Sequence, residues 1–175
     1  MSLARSLALI AFFLLVSCAR RAAPPDAAEP APLLPQYYIM RHLHTAGGTD
    51  PSLTDAGLLH AEALPRWLAE RAGAGELTAI HVSATKRAQQ TAAPLAETFG
   101  ITPTIYDPSN TAALVNSIRE EDGVVLIVGH SNTVPDIIEM LGGPRPADIA
   151  HDQFGDIWQL SGDPPIVVQH RLQID

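Results

Sequence analysis

The stretch GVVLIVGH, residues 123–130, decides the fold of this chain. It is a continuous apolar run, rich in β-branched residues, and it ends in Gly129 and His130. Runs of this kind are typical of strands buried on both faces, which occur in parallel sheets covered by helices on each side. We therefore expect a central parallel strand that delivers a histidine to its carboxyl end.

Shorter apolar runs alternate with helical segments on both sides of this strand. We predict further strands over 36–40, 78–84, 102–106, 156–160 and 166–172, and helices over 54–71, 86–99, 111–121 and 132–141. Thr54 has the side chain of an N-cap, Pro65 is expected to kink the first helix, and Gly100 ends the second. The alternation predicts an α/β fold, a three-layer α/β/α sandwich with a mostly parallel central sheet.

The charge of the chain excludes one class of partner. The 175 residues carry a formal net charge of −8, and three of the 11 Lys and Arg residues precede Gln36. From Gln36 onward 8 basic residues stand against 17 acidic ones, a net charge of −9. So acidic a body repels a nucleic-acid backbone, and we expect no nucleic-acid partner. Any cationic site must be local.

The N-terminus predicts export and a lipid anchor. Residues 1–18, MSLARSLALIAFFLLVSC, have a basic start and an apolar run of signal-peptide length that is too short for a relaxed membrane span. The run ends in LVSC, which resembles a bacterial lipobox and implies lipidation of Cys18, the single cysteine. An ordinary cleaved signal is the alternative. The Ala/Pro-rich residues 19–35 read as a tether, and 36–175 as the domain.

The lipobox also implies a location. Ala19, rather than aspartate, follows Cys18. In Gram-negative lipoproteins that pattern resembles an outer-membrane address. We therefore expect the domain to be extracytoplasmic and anchored at the periplasmic face of the outer membrane.

Basic side chains follow three of the predicted strands. Arg41 and His42 end the first, Arg87 follows the second along the chain, and His130 ends the central one. Ligands of such sheets gather at the carboxyl ends of strands, so these side chains should meet. The forked N–H donors of an arginine guanidinium match phosphate oxygens. A histidine nitrogen can attack phosphorus when a hydrogen-bond acceptor fixes the tautomer of the ring. The pattern predicts a site for a phosphoryl group.

Three motifs in this order, MRHLHT, SATKRAQQTAAPLA and VLIVGHSNTVP, resemble the histidine phosphatase superfamily (phosphoglycerate mutase-like, branch 1). DPSLTDAG also resembles the LTxxG helix start of that family. The resemblance extends over nearly all of residues 37–172. It implies a metal-independent phosphatase in which His42 becomes phosphohistidine, while Arg41, Arg87, His130 and Ser131 hold the phosphate.

Two residues depart from the family pattern. The family usually has a small residue and then glutamate after Arg-His, whereas this chain has Leu43 and His44. Leu43 would narrow or re-aim the mouth of the pocket. His44 would contact the leaving group or, as the simpler expectation, face solvent in a loop.

The proton donor varies within the family, and Asp107 at the end of TPTIYD is the candidate here. The alternative for Asp107 is a turn residue before Pro108, since aspartate is common in turns. Glu120, Glu121 and Asp136 are weaker candidates for the same role.

No pair of the other histidines has metal-ligand spacing, so we expect neither a metal nor a cofactor. The substrate is expected to be a phosphorylated small molecule or a phosphoprotein. A mutase-like phosphotransferase and a catalytically silent phospho-ligand-binding envelope module remain alternatives. The short connections between motifs leave little room for the lid that a mutase needs.

Overall fold

The computed structural model describes residues 34–72 and 77–173, and the fold is given for those ranges. The predicted signal peptide with Cys18, and the tether up to residue 33, lie outside the described residues. The strands are β1 (Gln36–Arg41), β2 (Leu77–Ser83), β3 (Thr104–Tyr106), β4 (Val124–Gly129), β5 (Asp156–Ser161) and β6 (Ile166–Arg171). The helices are α1 (Asp55–Ala72), α2 (Lys86–Phe99), α3 (Thr111–Ile118) and α4 (Thr133–Met140). Across 34–72 and 77–173, every helix is too short or too polar to cross a bilayer.

The six strands form one sheet in the order β3-β2-β4-β1-β5-β6. Strand β4 lies inside it and pairs in parallel with both β2 and β1, as the apolar run predicts. Strand β3 is parallel to β2, whereas β5 and β6 join the other edge in antiparallel pairs. The sheet is therefore mixed, and its parallel part carries the strand ends that the sequence analysis singled out.

Alternating side chains of the central strands build two separate cores. On one face, side chains of β1, β2 and β4 pack against α1 and α2, and on the other, β1, β4 and β5 pack against α3 and α4. Strand β4 shows the alternation most clearly, because Leu126 and Val128 belong to the first core and Val125 and Ile127 to the second. The α/β fold with helices on both faces of the sheet is confirmed.

Several element boundaries differ from the predicted ones. Helix α3 ends at Ile118 instead of Glu121, because the amides of Glu120 and Glu121 bond carbonyls only three residues back, as in a tight final turn. Strand β3 begins at Thr104, two residues after the predicted start at residue 102. Helix α1 continues through Pro65 as one helix.

The start of α1 is fixed to the loop that follows β1. The Thr54 hydroxyl accepts a hydrogen bond from the amide of Gly57 at 3.1 Å, which is the predicted N-cap. The Thr54 amide donates to the carbonyl of His44 at 2.9 Å. A Cβ on Gly57 would lie 2.4 Å from that same carbonyl oxygen, so only glycine allows the approach.

Gly57→Ala should therefore lower the free energy of unfolding by about 1–3 kcal/mol, the usual cost of overpacking. Alanine normally favours a helix over glycine by about 1 kcal/mol, so the sign of the effect is informative. The measurement is urea denaturation, with Gly47→Ala as the matched control because a Cβ there meets nothing within 4 Å. A Gly57→Ala protein as stable as the parent would refute the close approach.

Candidate active site

Parallel pairing of β1 with β4 brings the predicted nucleophile His42 next to the predicted phosphate-binding residue His130. Arg41 is the register partner of Gly129, and the amide of His42 donates to the Gly129 carbonyl at 3.0 Å. The rings of His42 and His130 consequently lie 5.4 Å apart, centroid to centroid, in an edge-on arrangement. Gly129 is needed here, because a Cβ would come within 2.7 Å of the Thr133 hydroxyl.

These histidines form the floor of a cleft of about 560 Å³ at the carboxyl edge of the sheet. Its lining includes every predicted phosphate-binding residue together with the predicted nucleophile: Arg41, His42, Arg87, His130 and Ser131. The remaining walls come from the loop after β1 and from residues 151, 152 and 154 before β5. The strand ends thus converge as the sequence predicts.

His42 is held in a single tautomer and is neutral. Its side chain is 5% exposed, and Nδ1 lies 2.8 Å from the carbonyl oxygen of Leu43. A carbonyl only accepts, so Nδ1 carries the proton and Nε2 keeps its lone pair. Burial, opposed by the bond to Leu43 and reinforced by the charges of Arg41, His130 and Arg87, lowers the pKa of His42 to about 4. At neutral pH this is an uncharged imidazole with one free nitrogen.

His130 is fixed by a chain of side chains from β2. Its Nδ1 lies 3.5 Å from Nη2 of Arg87, and its Nε2 lies 2.9 Å from Oγ of Ser83. A guanidinium only donates, so Nδ1 accepts and Nε2–H donates to Ser83, whose Oγ lies 3.0 Å from Oγ1 of Thr85. Burial, then the charges of Arg87 and Arg41, lower the pKa of His130 to about 4.

Arg41 is divided between the cleft and a neighbouring loop. Its Nη1 donates to the carbonyls of Ala150, His151 and Gln153 at 2.8, 3.0 and 3.0 Å. Its guanidinium carbon also lies 4.1 Å from the centre of the Phe154 ring, a cation–π contact. Nε is buried without a hydrogen-bond partner among the described residues. Arg41 therefore holds the wall of the cleft in place and also contributes a positive charge to the floor of the cleft.

Arg87 is the more accessible of the two arginines. Its side chain is 23% exposed, and Nη1 lies 3.7 Å from the Asp50 carboxylate. Asp50 also accepts the amide of Lys86 at 2.9 Å, which fixes the first turn of α2 beneath Arg87. The ion pair is partly exposed, so it is worth little and an incoming phosphate can replace it.

The cleft therefore combines two guanidinium groups with two neutral imidazoles at the ends of β1, β4 and α2. Ser131 lies on its wall, directly before the first turn of α4. Forked arginine donors and the positive end of a helix are the groups that bind phosphate in proteins. The arrangement fits one tetrahedral dianion above His42. The described residues contain no group of three or more His, Cys, Asp or Glu side chains able to hold a metal ion.

The structure does not bring the predicted proton donor into the cleft. Asp107 is fully exposed, and its Oδ1 accepts the Ser109 hydroxyl at 2.7 Å and the Ser109 amide at 2.8 Å. These bonds lower the pKa of Asp107, which makes it a weaker source of protons at neutral pH. This is the geometry of a turn aspartate, and a catalytic role for Asp107 stays a prediction.

The other predicted carboxylates also lie outside the cleft. Glu121 pairs with the buried His81 at 3.0 Å, and Asp136 pairs with Arg145. Glu120 is exposed at the end of α3. None of them lines the cleft.

Leu43 and His44 do not behave as the sequence suggests. Leu43 is completely buried in the core beneath α1 and α2, so it does not narrow the mouth of the cleft. His44 does not face solvent as a free loop residue, because its ring stacks on Phe154 at 4.3 Å and on His60 at 5.6 Å. The tight docking of this loop onto α1 turns both side chains inward.

Sequence reasoning missed Ser83, Thr85, Asp152 and Phe154. Ser83 ends β2 and Thr85 precedes α2 within the SATKRA motif, and their position next to the strand that ends at His130 is the signal that would have found them. Asp152 and Phe154 lie in a loop without any recognisable motif, so only the folded chain reveals them in the cleft.

The fold and part of the sequence match known proteins. A protein histidine phosphatase called SixA, whose structure was solved with tungstate, is 21% identical to this chain, with a TM-score of 0.62. The match covers 78% of this chain and 96% of the SixA chain. A mycobacterial glucosyl-3-phosphoglycerate phosphatase is 14% identical over 78% and 97% of the two chains, with a TM-score of 0.59. A protein described as mycobacterial hydrolase 2 is 14% identical over 80% and 92%, with a TM-score of 0.61. No curated protein sequence matches the chain.

Residues 38–109 match the family model described as "Histidine phosphatase superfamily (branch 1)". This range contains the Arg41-His42 and Arg87 motifs, whereas the His130 motif lies beyond it. The fold, a six-stranded mixed sheet with four helices in the described ranges, is similar to that of the phosphoglycerate mutase-like histidine phosphatases. By this match and this fold, the predicted resemblance of the chain to the histidine phosphatase superfamily, branch 1, is confirmed.

Proposed function

We propose that the protein hydrolyses phosphomonoesters or phosphohistidine through a covalent phosphohistidine at His42. One observation carries the proposal, which is the neutral His42 with Nδ1 fixed by the Leu43 carbonyl and Nε2 free beside Arg41 and Arg87. A nucleophilic imidazole needs this tautomer, and a phosphoryl group needs those cations. The phosphatases among the similar folds support the same class of reaction.

The reaction has two in-line steps at phosphorus. In the first, the Nε2 lone pair of His42 forms a P–N bond while the P–O bond to the leaving group breaks, and the leaving oxygen takes that electron pair and a proton from water or from the predicted donor Asp107. In the second, water attacks the phosphohistidine and gives up a proton to solvent or to the same group, the P–N bond breaks, and the electron pair returns to Nε2. In both steps Arg41, Arg87 and His130 stabilise the charge on the three non-reacting oxygens. His130 can donate a hydrogen bond to these oxygens only if its ring gains a second proton or if its Nε2–H turns away from Ser83.

The principal test is covalent labelling. We expect brief exposure to p-nitrophenyl phosphate to give an acid-labile, base-stable phosphoenzyme, and His42→Ala to abolish both label and turnover by several orders of magnitude. Because the cleft relies on guanidinium and imidazole groups, activity should survive EDTA, and vanadate should compete with substrate. The measurements are mass spectrometry of the quenched enzyme and steady-state kinetics.

Other results point to the alternatives. Tight binding of phosphate without turnover would favour the silent binding module, and transfer to a second phosphorylated acceptor faster than to water would favour the mutase-like reaction. A labelled intermediate in His42→Ala would remove His42 from its role. Loss of activity in EDTA that a divalent ion restores would exclude the metal-free mechanism.

The pH dependence tests the state of the nucleophile. His42 attacks only when Nε2 is unprotonated, and burial lowers its pKa to about 4 from the ordinary 6.5. We therefore expect phosphorylation to persist as the pH falls below 6 and to be lost as it passes about 4. NMR titration of the His42 ring, with the signals assigned by comparison with His42→Ala, separates protonation of His42 from protonation of the substrate. A midpoint near 6.5 in the free protein would contradict it.

We also propose that the domain acts at the cell envelope, anchored through lipidated Cys18. The support is the short apolar run and LVSC in the sequence. In a Gram-negative host, full-length protein should fractionate with the outer membrane, and Cys18→Ser should release it or leave it unprocessed. Fractionation and mass spectrometry of the N-terminus are the measurements. An unmodified, soluble mature chain would disprove the anchor.

A further inference from the structure

One wall of the cleft is a tight turn held in one position. The amide of Gln153 donates to the Ala150 carbonyl at 3.0 Å, which closes a four-residue turn with His151 and Asp152 at its tip. Nη1 of Arg41 binds three carbonyls of this turn. The tip therefore has a defined place relative to the phosphate-binding floor.

The residues that follow the turn are fixed as well. The Phe154 ring packs against Arg41 and His44, and its carbonyl accepts Nη1 of Arg171 at 2.8 Å. The Gln153 side chain donates to the buried Asp156 carboxylate. Side chains at the tip are thus presented by a rigid support rather than by a free loop.

Asp152 is the only carboxylate among the described residues that line the cleft. It is exposed, and it has no hydrogen bond or ion pair with any other described residue. It is also close enough to Arg41 for its negative charge to oppose the lowering of the Arg41 pKa that burial causes. The carboxylate therefore lines the same cleft as His42 and the two arginines while remaining free to meet a ligand.

We propose that Asp152 selects substrates by the charge that they carry beyond the phosphoryl group. This role rests on the proposed function, and it implies that the substrates are monophosphates whose leaving group is cationic or neutral. Arg41 and Arg87 hold the phosphoryl group at the strand ends, so the rest of the substrate meets the other residues that line the cleft, Asp152 among them. There Asp152 attracts an ammonium group and repels a second anion, such as a carboxylate or another phosphate.

The test uses three phosphates of similar size: 2-aminoethyl phosphate, 2-hydroxyethyl phosphate and phosphoglycolate. From the interaction of unit charges across a solvated cleft, Asp152→Asn should lower kcat/KM for the cationic substrate about 3- to 10-fold and raise it for the anionic one by a similar factor. Each substrate is compared with itself, so differences in leaving-group chemistry cancel. In about 1 M salt, where screening acts within about 3 Å, both effects should shrink.

The opposite signs exclude other roles of Asp152. A structural defect or a lost proton donor lowers kcat/KM for all three substrates, and either pattern would overturn the proposal. Asp148→Asn is the matched control, because Asp148 is exposed on the same loop and does not line the cleft. Asp107→Asn is assayed in parallel, since as the general acid it should slow the alkyl phosphates far more than p-nitrophenyl phosphate.

Failure of the proposed function has a separate signature. If wild-type protein turns over none of the three phosphates nor p-nitrophenyl phosphate, hydrolysis is refuted, and the same comparison is made with dissociation constants from calorimetry. Affinities that change in opposite directions in Asp152→Asn would still support charge selection. Unchanged or uniformly changed affinities would refute it.

Discussion

The parallel pairing of β1 with β4 is the constraint on which the site depends. With Arg41 opposite Gly129, the residues that follow both strands leave the sheet side by side, and the two histidine rings meet without any help from loops. A shift of this register by one residue would send every side chain of the strand to the wrong core. Because both faces of β4 are buried under helices, the two cores fix the register, and the register fixes the chemistry.

Arg41 extends this constraint to the part of the cleft that no strand forms. Its guanidinium is the predicted binding group for phosphate and, at the same time, the anchor of the turn at residues 150–153. The predicted binding of an anion and the ordering of the wall therefore share one side chain. A lysine has no planar fork to serve both purposes, so arginine is the residue that this position requires.

The sequence was informative where chemistry and periodicity coincide. Basic residues at the ends of apolar runs predicted the floor of the cleft, because strand ends meet wherever a parallel sheet forms. Asp107 shows the limit of this reasoning. It also follows a strand, yet β3 is a short edge strand, and the Ser109 amide and hydroxyl retain the carboxylate in a local turn.

Contacts between residues far apart in the chain could not be predicted in the same way. The inward position of Leu43 and His44 follows from the carbonyl of His44 resting on Gly57, a contact that has no periodic signal. Likewise, Asp152 reaches the cleft only because a side chain more than a hundred residues earlier binds its turn. The LTxxG resemblance contained the glycine, but only the fold shows that the glycine admits a passing carbonyl.

The direction of β1 determines where the chain enters the sheet relative to the opening of the cleft. The chain enters the sheet through Leu34 and Pro35, next to a second cavity of about 400 Å³ that Tyr37 and Arg119 help to line. The cleft opens at the other end of the same strand, and six extended residues span about 20 Å. Whatever is joined to the domain through residue 34 is therefore attached at the amino end of the strand. The polarity of a single strand thus places the first described residues and the cleft at opposite ends of the sheet.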